Sequence, residues 1–253
     1  MVRVAYCFYG QPRRLEEGYT TVQSLMSRHS DVQFDFFYHT WYDSSKSIQK
    51  YEASPWRHLG TKDLTIGSDI LNRINTLYVP KSSVYSPPIE FDLSGVKESL
   101  LYKNTKSYKL PNINNVLSQL YSIQQVRNAV FDYVQKTNIA YDFVVLSRFD
   151  FLRPITINFH TLDNTKMFVS DQIANRKLFC NYAISNYSTF LNHANIYNNL
   201  NNLLNNYEVC ALFKAITLTE CHLNPEEIKL MNYLYYYTDN KNIEFTNMIP
   251  NFI

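Results

Sequence analysis

Three short stretches of this chain carry side chains of the kinds that bind and move charge. Gly10-Gln11-Pro12-Arg13-Arg14 places an amide and two guanidinium groups in a tight loop, which suits an anionic diphosphate at a helix N-terminus. The same residues equally suit a solvated basic helix start. His39-Thr40-Trp41-Tyr42-Asp43 gathers polar and aromatic groups that would stack on a base or sugar ring, or pack as an aromatic cluster beneath a loop. Ser147-Arg148-Phe149-Asp150 closes an apolar run with a cation and a carboxylate. A carboxylate so placed can take a hard divalent cation together with substrate phosphates, and the cation would neutralise a departing diphosphate. The tripeptide alone also describes a plain Arg148 to Asp150 ion pair that caps a strand.

Further polar groups lie elsewhere. Ser118, Gln119, Tyr121 and Ser122 punctuate a helical pattern whose Leu117, Leu120 and Ile123 must face a core, so they either line a pocket edge or are simply exposed. Activating a hydroxyl needs a base within hydrogen-bond reach. Asp171, Glu208 and Glu226 are the later carboxylates to compare for that part, and nothing local selects among them.

Composition removes several functional classes. Only 5 glycines occur in 253 residues, well below the usual ~7%. Gly10, Gly18, Gly60, Gly67 and Gly95 fit neither GxGxxG, nor GxxxxGK[ST], nor GxSxG, which sets aside P-loop, kinase and dinucleotide dehydrogenase chemistry. With 24 basic and 22 acidic residues the formal charge is +2, and no single-sign run suggests nucleic acid as a partner. The four cysteines, Cys7, Cys180, Cys210 and Cys221, form no CxxC pair, so buried free thiols are expected rather than a zinc site or redox motif. No run approaches the roughly 18 to 20 apolar residues of a membrane span, and the opening lacks a signal-peptide core. These features lead to the expectation of a soluble, cytoplasmic protein.

The elements that must position these groups follow from periodicity. Residues 2–9 read as a strand ended by Gly10, Gln11 and Pro12, with a helix-capable segment over 13–28. Residues 32–38 alternate as a second strand that leads into His39. Residues 44–60 read as irregular or briefly helical, 69–74 as a short helix, and 77–79 as a short strand before Pro80. The clearest helix is 112–136, where Ile113, Val116, Leu117, Leu120, Ile123, Val130, Phe131 and Val134 recur at helical spacing, with Asn112, Asn114 and Asn115 as N-cap candidates. Residues 141–150 follow as a fully buried strand. Residues 167–169 suggest another strand. The remainder is read as mostly helical, including an Asn-rich helix over 192–206 and a helix that begins at Pro225 and Glu226 and runs toward Tyr237. A helix followed by a buried strand implies α/β layering in a single domain.

Taken in order, Val4-Ala5-Tyr6-Cys7-Phe8-Tyr9-Gly10-Gln11-Pro12-Arg13, Phe37-Tyr38-His39-Thr40-Trp41, Leu117-Ser118-Gln119-Leu120-Tyr121-Ser122 and the strand ending Ser147-Arg148-Phe149-Asp150 resemble a family of bacterial and large-virus glycosyltransferases of the GT-A type. That family opens with a strand ending S-G-Q-x-R, continues through H-x-W and carries R-x-D after a central strand. The likeness covers residues 2–153, with Asn224-Pro225-Glu226 similar to a late P-E element and Ser170-Asp171-Gln172 to an acidic D-Q segment. Tyr9 stands where the family has a small residue, and Arg148 stands where a D-x-D motif has its first acid.

The resemblance implies a GT-A-like, Rossmann-like α/β fold with a mostly parallel sheet. Residues 1–155 would bind a UDP- or GDP-linked nucleotide sugar, and a helix-rich half, 156–253, would face a glycan acceptor. It implies that Gly10, Gln11 and Arg13 meet the diphosphate, with Arg148 supplying part of the positive charge the leaving diphosphate needs, that His39, Thr40 and Trp41 border the nucleotide pocket, that Ser118, Gln119 and Ser122 of the matching helical motif bind substrate, and that Asp150 binds Mn or Mg. Asp150, Asp171 and Glu226 would be the carboxylates of the chemistry.

Overall fold

A strand that is apolar on both faces is buried as an inner strand of a sheet, and residues 4–9 lie in one. In the computed structural model, which describes residues 1–51, 64–104, 113–152, 156–172, 177–217, 223–236 and 243–246, β1 (Val2–Gly10) lies inside a seven-stranded sheet. Its neighbours are β2 (Val32–Trp41) and β6 (Phe143–Arg148). The remaining strands are β3 (Ile48–Tyr51) and β4 (Leu64–Gly67), paired as a separate hairpin, β5 (Ser82–Ser86), β7 (Met167–Gln172), β8 (Lys177–Ser185) and β9 (Ile243–Thr246). The main sheet has the order β5-β2-β1-β6-β8-β7-β9. Within it β5, β2, β1 and β6 run parallel, β8 runs against them, and β7 and β9 run with them. The expected α/β class with a mostly parallel sheet is the observed one.

The helices are α1 (Leu15–Ser27), α2 (Ile70–Tyr78), α3 (Ser94–Glu98), α4 (Leu100–Asn104), α5 (Ile113–Thr137), α6 (Tyr187–His193), α7 (Ile196–Asn205), α8 (Tyr207–Thr217) and α9 (Pro225–Tyr236). Strand alternation divides them between two layers. Val4, Tyr6 and Phe8 of β1, with Phe143 and Val145 of β6, pack against Leu15, Val22 and Leu25 of α1 and Ile70, Ile74 and Tyr78 of α2. The intervening Ala5, Cys7 and Tyr9, with Val144 and Leu146, face Val116, Leu120 and Ile123 of α5 and the C-terminal helices. Strands from both halves of the chain belong to the one sheet, because β8 pairs with β6.

Several segments depart from the sequence-based expectation: residues 48–51, within the stretch read as irregular or briefly helical, form β3 against β4, and residues 243–246, within the remainder read as mostly helical, form β9 beside β7. Residues 77–79 are not a strand: Ile70, Ile74 and Tyr78 recur at i, i+4 and carry the helix on to Tyr78, and Val79 ends it in a left-handed conformation at φ 44. Residues 177–185, read as helical, form β8, and two flanking strands supply the ladder that holds it. Asn112 lies outside the described residues, while Asn114 and Asn115 lie inside α5 rather than capping it.

Candidate functional site

The carboxyl ends of β1, β2, β5 and β6 emerge along one edge of the sheet, and the connectivity singles out the crevice between β1 and β6. From β1 the chain passes through α1 to β2 and outward to β5, then returns through α5 to pair β6 with the opposite side of β1. This reversal of winding separates two adjacent parallel strands, and in open α/β sheets the crevice so formed is where ligands bind. Gly10, Gln11 and Arg13 follow β1 there, and Arg148 and Asp150 close β6. Tyr9 pairs in register with Arg148 on one side and His39 on the other.

The β1 loop is set by its glycine. Gly10 has φ +91, a conformation that L side chains rarely adopt, and an added Cβ would have nothing within 4 Å among the described residues. Its N–H donates to Ser122 Oγ of α5 at 2.8 Å. Gln11 accepts at Oε1 from Arg13 Nε at 2.8 Å, and the Arg13 amide turns back to the Gln11 carbonyl. Arg14, at φ 50, precedes α1 without a side-chain cap on the helix. The first-turn carboxylates of α1 are held by arginines: Glu16 pairs with Arg73, which lowers its pKa, and Glu17 pairs with Arg14.

At the end of β6 the Arg148 guanidinium donates from Nε to Asp150 Oδ1 and from a terminal nitrogen to Oδ2, both at 2.7 Å. This bidentate fork is the strong form of a carboxylate pair. The side chains are 22% and 8% exposed, so the pair is only partly wet. The simpler reading of the R-x-D string is therefore physically present. It leaves each Asp150 oxygen with a second lone pair.

His39 and Thr40 lie deeper than a pocket wall, since both are fully buried. The His39 ring meets Ser122 Oγ at Nδ1 (2.7 Å) and Ser86 Oγ at Nε2 (3.0 Å). Burial lowers its pKa to about 3. Trp41 meets the His39 ring in a T-shaped contact and stacks on Tyr121 at 5.4 Å, which is the packing cluster offered as the plainer reading of these aromatics. Thr40 sits beside Gly10 in register, and its hydroxyl is buried without a hydrogen-bond partner among the described residues. Ser118 and Gln119 lie one turn before Ser122 and are half-buried, and the Gln119 amide nitrogen likewise has no partner among the described residues.

The later carboxylates are dispersed. Asp171 stands near the carboxyl end of β7, opposite Leu178 and just past a register shift, on the same sheet edge as the crevice but two strands from β6. Glu226 is half-buried in the first turn of α9, and Glu208 is exposed at the start of α8. No group of three or more His, Cys, Asp or Glu side chains is placed to hold a metal among the described residues.

Sequence reasoning missed Lys229. It is 3% exposed on α9 and reaches beneath the end of β1, where its Nζ donates to Tyr9 Oη at 3.2 Å and lies 5.1 Å from the ring centroid. Buried Glu227 and His193 are its companions in the same layer, and burial, aided by the Lys229 charge, lowers the His193 pKa to about 3. The available signal was that Ile228, Leu230, Met231, Tyr233, Leu234 and Tyr236 spread apolar bodies around most of the α9 circumference, which leaves little wet face for Lys229 between them.

No family model matches the chain, and no curated protein matches it. Among solved structures it is similar to a Desulfovibrio desulfuricans protein described as a "putative nucleotide-diphospho-sugar transferase", with 9% identity, a TM-score of 0.36, and coverage of 93% of this chain and 78% of that one. Among the described residues no helix is long and apolar enough to cross a membrane.

Proposed function

We propose that the protein is a glycosyltransferase that moves a sugar from a nucleotide-sugar donor to a glycan hydroxyl. The observation that carries this reading is the placement of a glycine turn followed by Arg13, and of the Arg148 and Asp150 pair, on the two strands that flank the β1/β6 switch point. Cationic groups at such a crevice favour an anionic, extended ligand, and a nucleoside diphosphate has that form. The motif resemblance supports the same class.

In this reading Arg13 and Arg148 stabilise the charge that develops on the diphosphate as the glycosidic bond breaks. Ser118 and Gln119 of α5 border the donor on the Ser122 side. An acceptor hydroxyl attacks the anomeric carbon and gives its proton to a carboxylate, for which Asp171 and Glu226 are the candidates on this edge and on α9. Asp150 fits a divalent cation of the magnesium or manganese type, because one carboxylate with lone pairs remaining, joined by donor phosphates, is a common set for such ions. A bound cation would add positive charge against the leaving group.

Calorimetry with UDP, GDP and their sugar conjugates, with and without Mn, tests this reading, together with a donor screen read by mass. Nucleotide affinity that falls in Arg13→Ala, and that depends on metal only while Asp150 is intact, is the expected result. Absence of nucleotide affinity, with neither transfer nor donor hydrolysis for any sugar nucleotide, overturns it.

A further inference from the structure

Four residues from four elements form one continuous hydrogen-bonded line that ends on the candidate diphosphate loop. Ser86 closes β5, His39 lies near the end of β2, Ser122 sits on α5 and Gly10 ends β1. Reading from the buried end, His39 Nε2 meets Ser86 Oγ at 3.0 Å, Nδ1 meets Ser122 Oγ at 2.7 Å, and that same oxygen accepts the Gly10 N–H at 2.8 Å. One proton arrangement uses every group once. Gly10 donates to Ser122, Ser122 donates to Nδ1 of a neutral ring, and the Nε2–H donates to Ser86.

We propose that His39 and Ser122 are positioning residues, which fix the left-handed turn at Gly10 so that the Gln11 to Arg13 segment is preset for an anionic diphosphate, without either side chain touching the ligand. This rests on the nucleotide-sugar reading of the site. Three observations carry it. The Gly10 N–H, at the last residue of β1, is taken by a side chain from another layer. The His39 ring cannot reorient, since Trp41 and Tyr121 meet it edge-on at 5.2 and 5.9 Å and both nitrogens are occupied. A Cβ added at Gly10 would meet nothing within 4 Å among the described residues, so the turn is held by its backbone hydrogen bond rather than by side chains packed over it.

A buried polar line has to be satisfied throughout to be tolerated, and a satisfied one makes its members rigid. That rigidity is useful at the far end, where a loop otherwise loses conformational freedom when it binds. The line therefore converts burial of His39, some distance from any ligand, into a preset geometry at Arg13.

The test compares Ser122→Ala, which removes the acceptor for Gly10, with Ser122→Thr, which retains a hydroxyl. Affinity for UDP and GDP, thermal midpoint, and the KM and kcat for donor turnover are measured on the full chain. Loss of one such hydrogen bond corresponds to roughly threefold to tenfold in affinity. The expected result is a loss of that size in nucleotide affinity and donor KM for Ser122→Ala, a kcat changed by less than about twofold, and recovery in Ser122→Thr. Should Ser122→Ala fail to fold, Ser86→Ala severs the buried end, and a threefold loss there supports the line while unchanged affinity overturns it. Wild-type affinity in Ser122→Ala, alongside a strong loss in Arg13→Ala, overturns the positioning role and leaves the nucleotide reading standing. No nucleotide affinity in the wild-type protein overturns both.

Discussion

Gly18 of α1 lies directly against the main chain of Phe149, so that a Cβ added to it would stand 1.9 Å from the Phe149 carbonyl oxygen and 3.1 Å from the carbonyl carbon. Phe149 separates Arg148 from Asp150. The helix that leaves the β1 loop is thus seated on the segment carrying the opposite wall of the crevice, and only a residue without a side chain permits that approach.

Gly18→Ala is expected to destabilise the protein. Alanine gains about 1 kcal/mol of helix propensity over glycine, but the obstacle is backbone, which cannot rotate away, and overpacking of this kind costs about 1 to 3 kcal/mol. At 1.9 Å the upper part of that range applies, so the net loss should lower the thermal midpoint by several degrees. An unchanged or raised midpoint would contradict the packing described.

Gly10→Ala should act differently, through backbone strain alone. Among the described residues nothing occupies the space a methyl group would enter, so the cost is the ~1 to 2 kcal/mol of holding a non-glycine residue at positive φ. Urea unfolding measures it, and under the proposed nucleotide-sugar reading the affinity for UDP or GDP should fall with it as the turn relaxes. A variant with full stability and full affinity would show that the turn conformation is not required.

Charge pairs of different burial should separate in the same assay. Asp150→Asn removes the charge from a fork whose members are largely buried, and a loss of about 1.5 to 3 kcal/mol is expected. Glu17→Gln breaks the exposed Arg14 pair and should change stability by less than about 0.5 kcal/mol. Equal effects in the two variants would mean that burial does not decide the strength of the Arg148 fork.

Stability should fall as the solution is acidified below the ordinary histidine range. Burial holds the pKa of His39 and of His193 at about 3, against 6.5 for a free imidazole. Between those values the unfolded chain binds protons that the folded chain does not. Stability is therefore complete above about pH 6.5 and is lost as pH falls toward 3, at up to ~1.4 kcal/mol per pH unit for each ring. Urea midpoints from pH 7 to pH 5 measure the slope. A flat profile over that interval would mean that the rings are not held neutral.

Some of this was legible in the linear chain. β1, β2, α5 and β6 follow from apolar patterns that are local, because a buried parallel strand is apolar on both faces and a packed helix repeats its apolar residues every three or four positions, while α1 was legible as a polar, helix-capable segment after Pro12. β8 was not legible, because Lys177–Ser185 becomes a strand by pairing with β6 and β7, and strand formation depends on such partners more than on intrinsic preference. β5 was hidden for a related reason: Ser82-Ser83-Val84-Tyr85-Ser86 is a short, serine-rich edge strand with little apolar signature.

The candidate site divides along the same line. That polar and cationic residues stand at the ends of apolar strands is a property of the order of residues, since β1 runs apolar from Val4 to Tyr9 before Gly10, and β6 from Phe143 to Leu146 before Ser147 and Arg148. Which of those residues meet is a property of sheet order and layer. Gly10 finds Ser122 112 positions away, and Tyr9 finds Lys229 220 positions away, on helices packed against the same face. Local periodicity carries the direction in which a side chain points, toward a core or away from it, but not the element that will arrive there. His39 shows the difference: its neighbours in sequence allowed either a ring stacked on a base or sugar or a packed aromatic cluster, and the arrival of α5 and β5 on its two nitrogens makes it a buried part of the frame beneath.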